Sequence, residues 1–262
     1  MLFLLALSAV VAVAPPKGWE PIAEPSQKRL SCANHSRREW RVSTPQGELR
    51  IEPHDPTEDG AARALPFKPS PKLLPGGVSH VLAVKDGYFV GSDAGEWGGA
   101  LFWFSAQGTQ HRPLANENVQ GIAQTGPDEV LSLHGLNHLS LREGRVRWFK
   151  PDAQGRWNLD EEKPLDSGPH TFTATPEAVY VMTATSLTKV GPGHQVTVLE
   201  PLPISQLYPN SLALDASGAL WVGMRHFVLR VSPRGEKPSR QWFAPSKCRR
   251  SVMEEYDCVC KP

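Results

Sequence analysis

The chain has 262 residues, and its 28 Lys and Arg almost cancel its 27 Asp and Glu, leaving a formal net charge of +1. That balance excludes the broad basic surface by which proteins neutralise nucleic-acid phosphates. A hydrophobic content of 40% with 25 Pro and 22 Gly excludes a disordered chain and long helices, and favours short strands joined by turns.

In chain order, the first element is an apolar run from Leu2 to Ala14. It is shorter than the roughly 20 residues a membrane-spanning helix needs, so residues 1–14 read as a signal segment. The run lacks the usual Lys or Arg, and Pro15 obstructs cleavage after Ala14, so a cut after Ala12 fits as well. No lipobox-type Cys follows, and the expected product is soluble, secreted or periplasmic, without stable membrane insertion.

Residues 15–75 hold one hairpin signal, Glu39 to Val42 and Glu48 to Ile51 flanking Ser43-Thr44-Pro45-Gln46-Gly47. This hairpin is the candidate for a first blade. Pro53 to Pro75 is rich in Pro and charge and reads as a loop or linker. Asn34-His35-Ser36 is a glycosylation sequon, relevant only in a eukaryotic secretory pathway.

From residue 76 to 245 the sequence repeats itself. Aligned on Gly91, Leu133, Met182 and Gly223, four copies recur roughly every 40 to 50 residues. Each opens with a short apolar strand, then a turn: Lys85-Asp86-Gly87, Thr125 to Asp128, Thr175-Pro176-Glu177 and Asp215 to Gly218. A second strand of β-branched and aromatic residues follows, then a third at Ala100 to Phe104, His138 to Leu141, Ser186 to Val190 and Phe227 to Val231. Fourth strands are expected at Val146 to Phe149, Gln195 to Leu199 and Arg240 to Phe243, behind the Gly turns Glu143-Gly144, Pro192-Gly193 and Arg234-Gly235. Four strands per repeat is the blade signature of an all-β propeller, and with the N-terminal hairpin the expected count is about five blades.

The stretch Leu212-Ala213-Leu214-Asp215-x-x-Gly218-x-Leu220-Trp221-Val222-Gly223 resembles the blade motif of two-component-regulator propeller repeats and of NHL and SMP-30-like propellers. The resemblance implies that Trp221 and its counterparts Phe89, Leu131 and Tyr180 pack between blades, with Gly91 and Gly223 relieving crowding. It also implies a recognition role.

Residues 246–262 form a tail with Cys248, Cys258 and Cys260, which with Cys32 make an even count that favours disulfides in an exported chain. A Cys258 to Cys260 bond would close a strained ring, so Cys32 is expected to pair with Cys258 or Cys260, and the other with Cys248. A thiol zinc site lacks the usual knuckle spacing.

Familiar catalytic and phosphate-binding motifs, including G-x-S-x-G, Walker loops and H-E-x-x-H, do not occur. The candidate site is the start of each innermost strand, where Ser79 and His80, Gln120, His170, and Asn210 and Ser211 would ring the central channel. Water filling a wet channel is the plainer role for such a ring. It offers Asn210 but no Glu or Asp, unlike SMP-30-like lactonases, and no metal or cofactor is assigned.

Trp97, in the Gly-rich loop Asp93 to Gly99, is either a stacking residue for a sugar or partner or, as favoured, a cover for a blade edge. His134 and His138 lack further metal ligands. Asp152 to Glu162 mimics a calcium loop, but Arg156 and Trp157 occupy positions that need oxygen and Gly, so it reads as an inserted hairpin.

The expected function is a non-catalytic, monomeric binding or scaffold module for a protein partner or small polar ligand. The alternative is a lactonase-like hydrolase or lyase using His80 or His170 as general base, and a structural envelope role is a third.

Overall fold

The computed structural model describes residues 14–55, 65–138, 141–233 and 238–246. The signal segment up to residue 13 and the tail from residue 247, with Cys248, Cys258 and Cys260, lie outside the described residues, as does the Arg234-Gly235 turn. Among the described residues no helix is long and apolar enough to cross a membrane.

The chain begins with β1 (Trp19–Ile22), the short helix α1 (Gln27–Ala33) capped by the Ser26 hydroxyl, and the hairpin β2 (Glu39–Ser43) and β3 (Arg50–His54). Four antiparallel meanders follow. The first is β4 (His80–Val84), β5 (Gly87–Asp93), β6 (Gly99–Ser105) and β7 (His111–Ala115). The second is β8 (Val119–Gly126), β9 (Glu129–His138), β10 (Leu141–Pro151) and β11 (Trp157–Leu165). The third is β12 (Pro169–Ala174), β13 (Val179–Thr183), β14 (Ser186–Gly191) and β15 (Gln195–Pro201), and the fourth β16 (Ser211–Leu214), β17 (Leu220–Gly223), β18 (Val228–Ser232) and β19 (Ser239–Pro245).

These four-stranded sheets are propeller blades in form, and the protein is all-β. Their first strands touch in the order β4, β8, β12, β16, and the hairpin continues the series by packing β2 on β16 and β17. The pleat puts alternate residues on opposite faces, so each sheet buries one apolar row against the next. Phe89 and Leu101 meet Val119 and Val130 across the first interface, and Leu131 and Leu133 meet Val179 and Val181 across the second. Met182 and Leu187 meet Leu212 and Leu220, joined by Leu30 and Ala33 of α1, and Trp221 and Val228 meet Val42. Each Leu or Val so buried contributes roughly 2 kcal/mol.

The Asp-x-x-Gly turn is tied to this packing. The Asp215 carboxylate accepts backbone N–H bonds from Ser217 (2.8 Å) and Ala219 (3.0 Å) and the indole N–H of the interface residue Trp221 at 2.8 Å. Burial alone would raise its pKa; the hydrogen bonds from Ser217 and Trp221 outweigh it and hold the group below the ordinary carboxylate value. In the first turn Asp86 does the same across a seam, accepting the indole N–H of Trp157 from the second sheet at 3.0 Å.

Gly223 sits where two units approach closely: a Cβ there would lie 2.4 Å from the Trp40 carbonyl and 2.3 Å from the Ser211 hydroxyl. Phe89, Leu131 and Trp221 are buried at the interfaces, while Tyr180 is only partly covered.

Several expectations need correction. In the second sheet His138 ends the second strand, and Val146 to Phe149 belongs to the third, because β10 pairs along the whole of β9 with Gly135 opposite Gly144. Gly144 is no turn; a Cβ there would stand 2.0 Å from the Ser167 carbonyl, so it marks a close backbone approach. The apparent inserted hairpin supplies the blade's true fourth strand, β11, after a tight turn in which Asp152 accepts the Arg156 N–H at 2.8 Å. That backbone bond is the main reason its carboxyl is lowered to about 2.

Residues 65–75 are also more than a linker. Leu65, Phe67, Leu73 and Leu74 pack on the face of the first sheet turned away from the second, with Phe67 against Phe104 and Tyr88. Finally, β1 adds a fifth strand to the fourth sheet by pairing with β19, Trp19 opposite Pro245.

Candidate functional site

The ends of β5 and β17 and the starts of β4, β8, β12 and β16 share one mouth of the central channel. There they enclose a cavity of about 700 Å³ lined from all five sheets: Glu39 and His54 from the hairpin, Ser79, His80 and Asp93 from the first, Gln120 from the second, His170 from the third, and Tyr208, Asn210 and Arg225 at the fourth.

Of the residues expected from sequence, Ser79, His80, Gln120, His170 and Asn210 line this cavity. Ser211 stands behind the wall, its hydroxyl donating to Asn210 Oδ1 (2.8 Å) and accepting the Val42 N–H (2.8 Å), so its work is to join the fourth sheet to the hairpin. Trp97 lies outside the cavity and is 82% exposed. The favoured expectation that it covers a blade edge is therefore wrong. Its loop is fastened instead by Asn118, whose amide donates to the Gly95 carbonyl at 2.7 Å, and by Glu96, which pairs with His138 of the second sheet at 2.8 Å, leaving the indole outside.

Two carboxylates correct the expectation of a ring without Asp or Glu. Glu39, at 8% exposure, receives the Arg225 Nε–H at 2.8 Å and faces the Asn210 amide at 3.5 Å. Asp93 accepts the Gly95 N–H at 2.9 Å and the Gln120 amide at 2.7 Å, and its own N–H donates to Ser79 Oγ at 3.1 Å. Neither is gathered for a metal: among the described residues no group of three or more His, Cys, Asp or Glu is placed to hold one.

Asp93 and Arg225 lie at or just past the ends of second strands, outside the first-strand starts that form the expected ring. Both stand two residues beyond the repeat glycines Gly91 and Gly223, a shared offset that could have exposed them. Glu39 gave no local signal, since long-range contacts such as its bridge to Arg225 bring it to the channel.

Electrostatically the wall is built from fixed groups. Arg225 donates Nη1–H to the Asn34 carbonyl at 2.9 Å and lies over the Tyr208 ring at 3.9 Å. Tyr208 holds a left-handed φ of 51°, a strained state for a bulky residue. His170 is pushed by burial from the ordinary 6.5 down to about 4, so it is neutral at pH 7, and its Nε2 has no hydrogen-bond partner among the described residues.

A second polar cluster occupies the opposite end of the blades, in a cleft of about 420 Å³ between the second and third sheets. There His194 stacks on Trp148 (4.2 Å between centroids), with Nδ1 2.5 Å from Glu161 and Nε2 3.0 Å from Glu129. His134, by contrast, is fully buried within the second sheet, 2.6 Å from Ser132 Oγ, and is pushed down to about 3 by burial and then by Arg147 and Arg145. It and His138 make separate contacts and form no pair.

No family model matches the sequence, and neither does any curated protein. Among solved structures the chain is similar to the extracellular domain of a protein described as a one component system from B. thetaiotaomicron, with a TM-score of 0.43, 16% identity, and 62% of this chain but only 22% of that one covered. It is also similar to streptogramin B lyase (TM-score 0.40, 16% identity, 85% of this chain and 72% of that one). A third is a gluconolactonase from Xanthomonas campestris (TM-score 0.39, 11% identity, 79% and 68%). The chain spans about a fifth of the first of these structures.

Proposed function

We propose that the protein is an exported binding module that takes a small polar ligand at the channel mouth, without chemistry of its own. The observation that carries this reading is the state of the wall: a cavity of about 700 Å³ lined from five sheets, whose two carboxylates and arginine are already held in place by hydrogen bonds. Fixed donors and acceptors suit recognition, because little side-chain freedom remains to be lost on binding. A hydrolase would need a base matched to neutral pH, and an imidazole lowered to about 4 is a weak one.

The same reading counts the hairpin as a small blade in a five-bladed ring and places the protein in the periplasm or outside the cell. Cys32 lies on α1, whose Leu30 and Ala33 pack into the core of the fourth sheet, a position suited to a disulfide latch with Cys258 or Cys260. Mass mapping of the unreduced protein would locate that bond.

The test is thermal unfolding of the mature, oxidised protein against amino acids, sugars, lactones and divalent metals, with and without chelator. A ligand at 100 times its dissociation constant adds about 2.7 kcal/mol to stability. A shift reduced by His170→Ala supports the reading. Turnover of a lactone that His170→Ala abolishes would replace it with the hydrolase, and a wholly unresponsive transition would turn attention to a protein partner at the rim around the exposed Trp97.

A further inference from the structure

The chemistry of the cavity wall narrows the class of ligand, on the premise that the channel mouth is a binding site. The two carboxylates there differ in what surrounds them. Glu39 has a cation against it, the Arg225 guanidinium at 2.8 Å. Asp93 has none among the described residues: its oxygens meet the Gly95 N–H and the Gln120 amide, both neutral. Amide dipoles fix a carboxylate without cancelling its charge, and His170, in the same cavity wall, is neutral at pH 7. Asp93 therefore presents a negative charge to the cavity, already oriented.

Arg225 presents the complementary feature. Its Nε is taken by Glu39, its Nη1 by the Asn34 carbonyl, and its plane is stacked on Tyr208. These contacts immobilise the guanidinium and leave the Nη2 edge outside them, on a side chain 26% exposed in the cavity wall. The strained φ of Tyr208 serves this arrangement, since it sets the ring beneath the guanidinium. The N–H groups of Nη2 can give a carboxylate a charge-assisted hydrogen bond.

We propose that the channel mouth binds an amino-acid-like zwitterion, its ammonium against Asp93 and its carboxylate against Nη2 of Arg225, with Asn210 and Gln120 meeting the remaining polar groups. A neutral polyol would leave the Asp93 charge uncompensated in a partly dehydrated site, and a simple anion would meet it as a like charge.

The experiment is calorimetric titration of the full oxidised chain with the common L-α-amino acids, each compared with its N-acetyl derivative, which lacks the ammonium, and its amide, which lacks the carboxylate. The expected result is binding of one or more free amino acids, weakened at least tenfold by acetylation and likewise by amidation. Asp93→Asn should remove the penalty for acetylation while keeping an acceptor for the Gly95 N–H; the derivative series on the unaltered protein gives the answer even if that variant folds poorly. If sugars, lactones or simple carboxylates bind and amino acids do not, the zwitterion is wrong while the binding site stands. If no probe of any class binds, both fall together.

Discussion

His170 at the channel mouth and His194 in the cleft between the second and third sheets are both half-buried, yet their surroundings are completed in opposite ways. His194 has a carboxylate within reach of each ring nitrogen and an indole stacked on its face. The surrounding charges close on one another: Lys150 bridges Glu129 and Asp160, and Lys163 holds both Glu161 and the His194 carbonyl. His170 has a nitrogen with no partner among the described residues. Polar groups taken from water without a partner cost stability. The His194 cluster is therefore a finished joint between blades, whereas the channel mouth keeps a buried polar atom, His170 Nε2, without a partner among the described residues.

The largest effect expected from this contrast is on the joint. Trp148→Ala should cost about 3–5 kcal/mol in urea unfolding, because it empties a fully buried indole site and removes the surface on which His194 stacks. Tyr208→Gly, at the mouth, should change stability by less than about 1 kcal/mol, since the ring is half exposed and glycine accepts the left-handed backbone. Equal losses at the two places would end the distinction.

Next in size is the response to acid. The folded value for His170, about 4, lies below the unfolded 6.5, so the unfolded chain takes up the proton first. The stability that its neutral burial represents is whole above pH 6.5 and drains away as pH falls toward 4, by about 3 kcal/mol in all. His226, lowered to about 4, and His134, lowered to about 3, act in the same direction. Urea midpoints at pH 7, 5.5 and 4.5 should therefore fall with acidity, and His170→Gln should flatten the slope without abolishing it. An unchanged slope in the variant would show that His170 is protonated without penalty, contrary to its placement here.

The contrast between the two histidines was only half legible in the sequence, and the reasons are physical. Blade structure is local: Asp215, Gly218 and Trp221 lie within one hairpin, and their turn and packing roles follow from their spacing. For the same reason the first-strand starts could be aligned and Ser79, Gln120 and His170 placed at one mouth. Gly144 misled because a glycine at a turn and a glycine under a neighbouring backbone look identical until Ser167 is seen above it. The pairing of Trp19 with Pro245, the bridge from Glu39 to Arg225 and the meeting of His194 with Glu129 and Glu161 all join distant parts of the chain. No periodicity announces such contacts.

Smaller again is the cost of removing the joint's histidine itself. His194→Ala leaves Glu129 and Glu161 without one charge-assisted partner each, but Lys150, Lys163 and Thr125 remain to them, so the loss should be about 1–2 kcal/mol. A double-mutant cycle with Glu129→Gln isolates the pair, and a coupling near zero would mean that Glu161 and the stacking on Trp148 hold the ring without Glu129.

The smallest effect is expected where two blades meet through solvent. Lys85 of the first sheet pairs with Asp128 of the second, but both side chains are more than half exposed. Water and salt screen such a pair and the long lysine must be immobilised to form it, so Lys85→Ala should change stability by less than about 0.5 kcal/mol. The three cross-blade substitutions, at Trp148, His194 and Lys85, then rank by burial of the contact. If the Lys85 variant matched the His194 variant in 0.5 M salt, charge pairing would count for as much outside the joint as within it, and the stacked, enclosed geometry around His194 would lose its explanatory force.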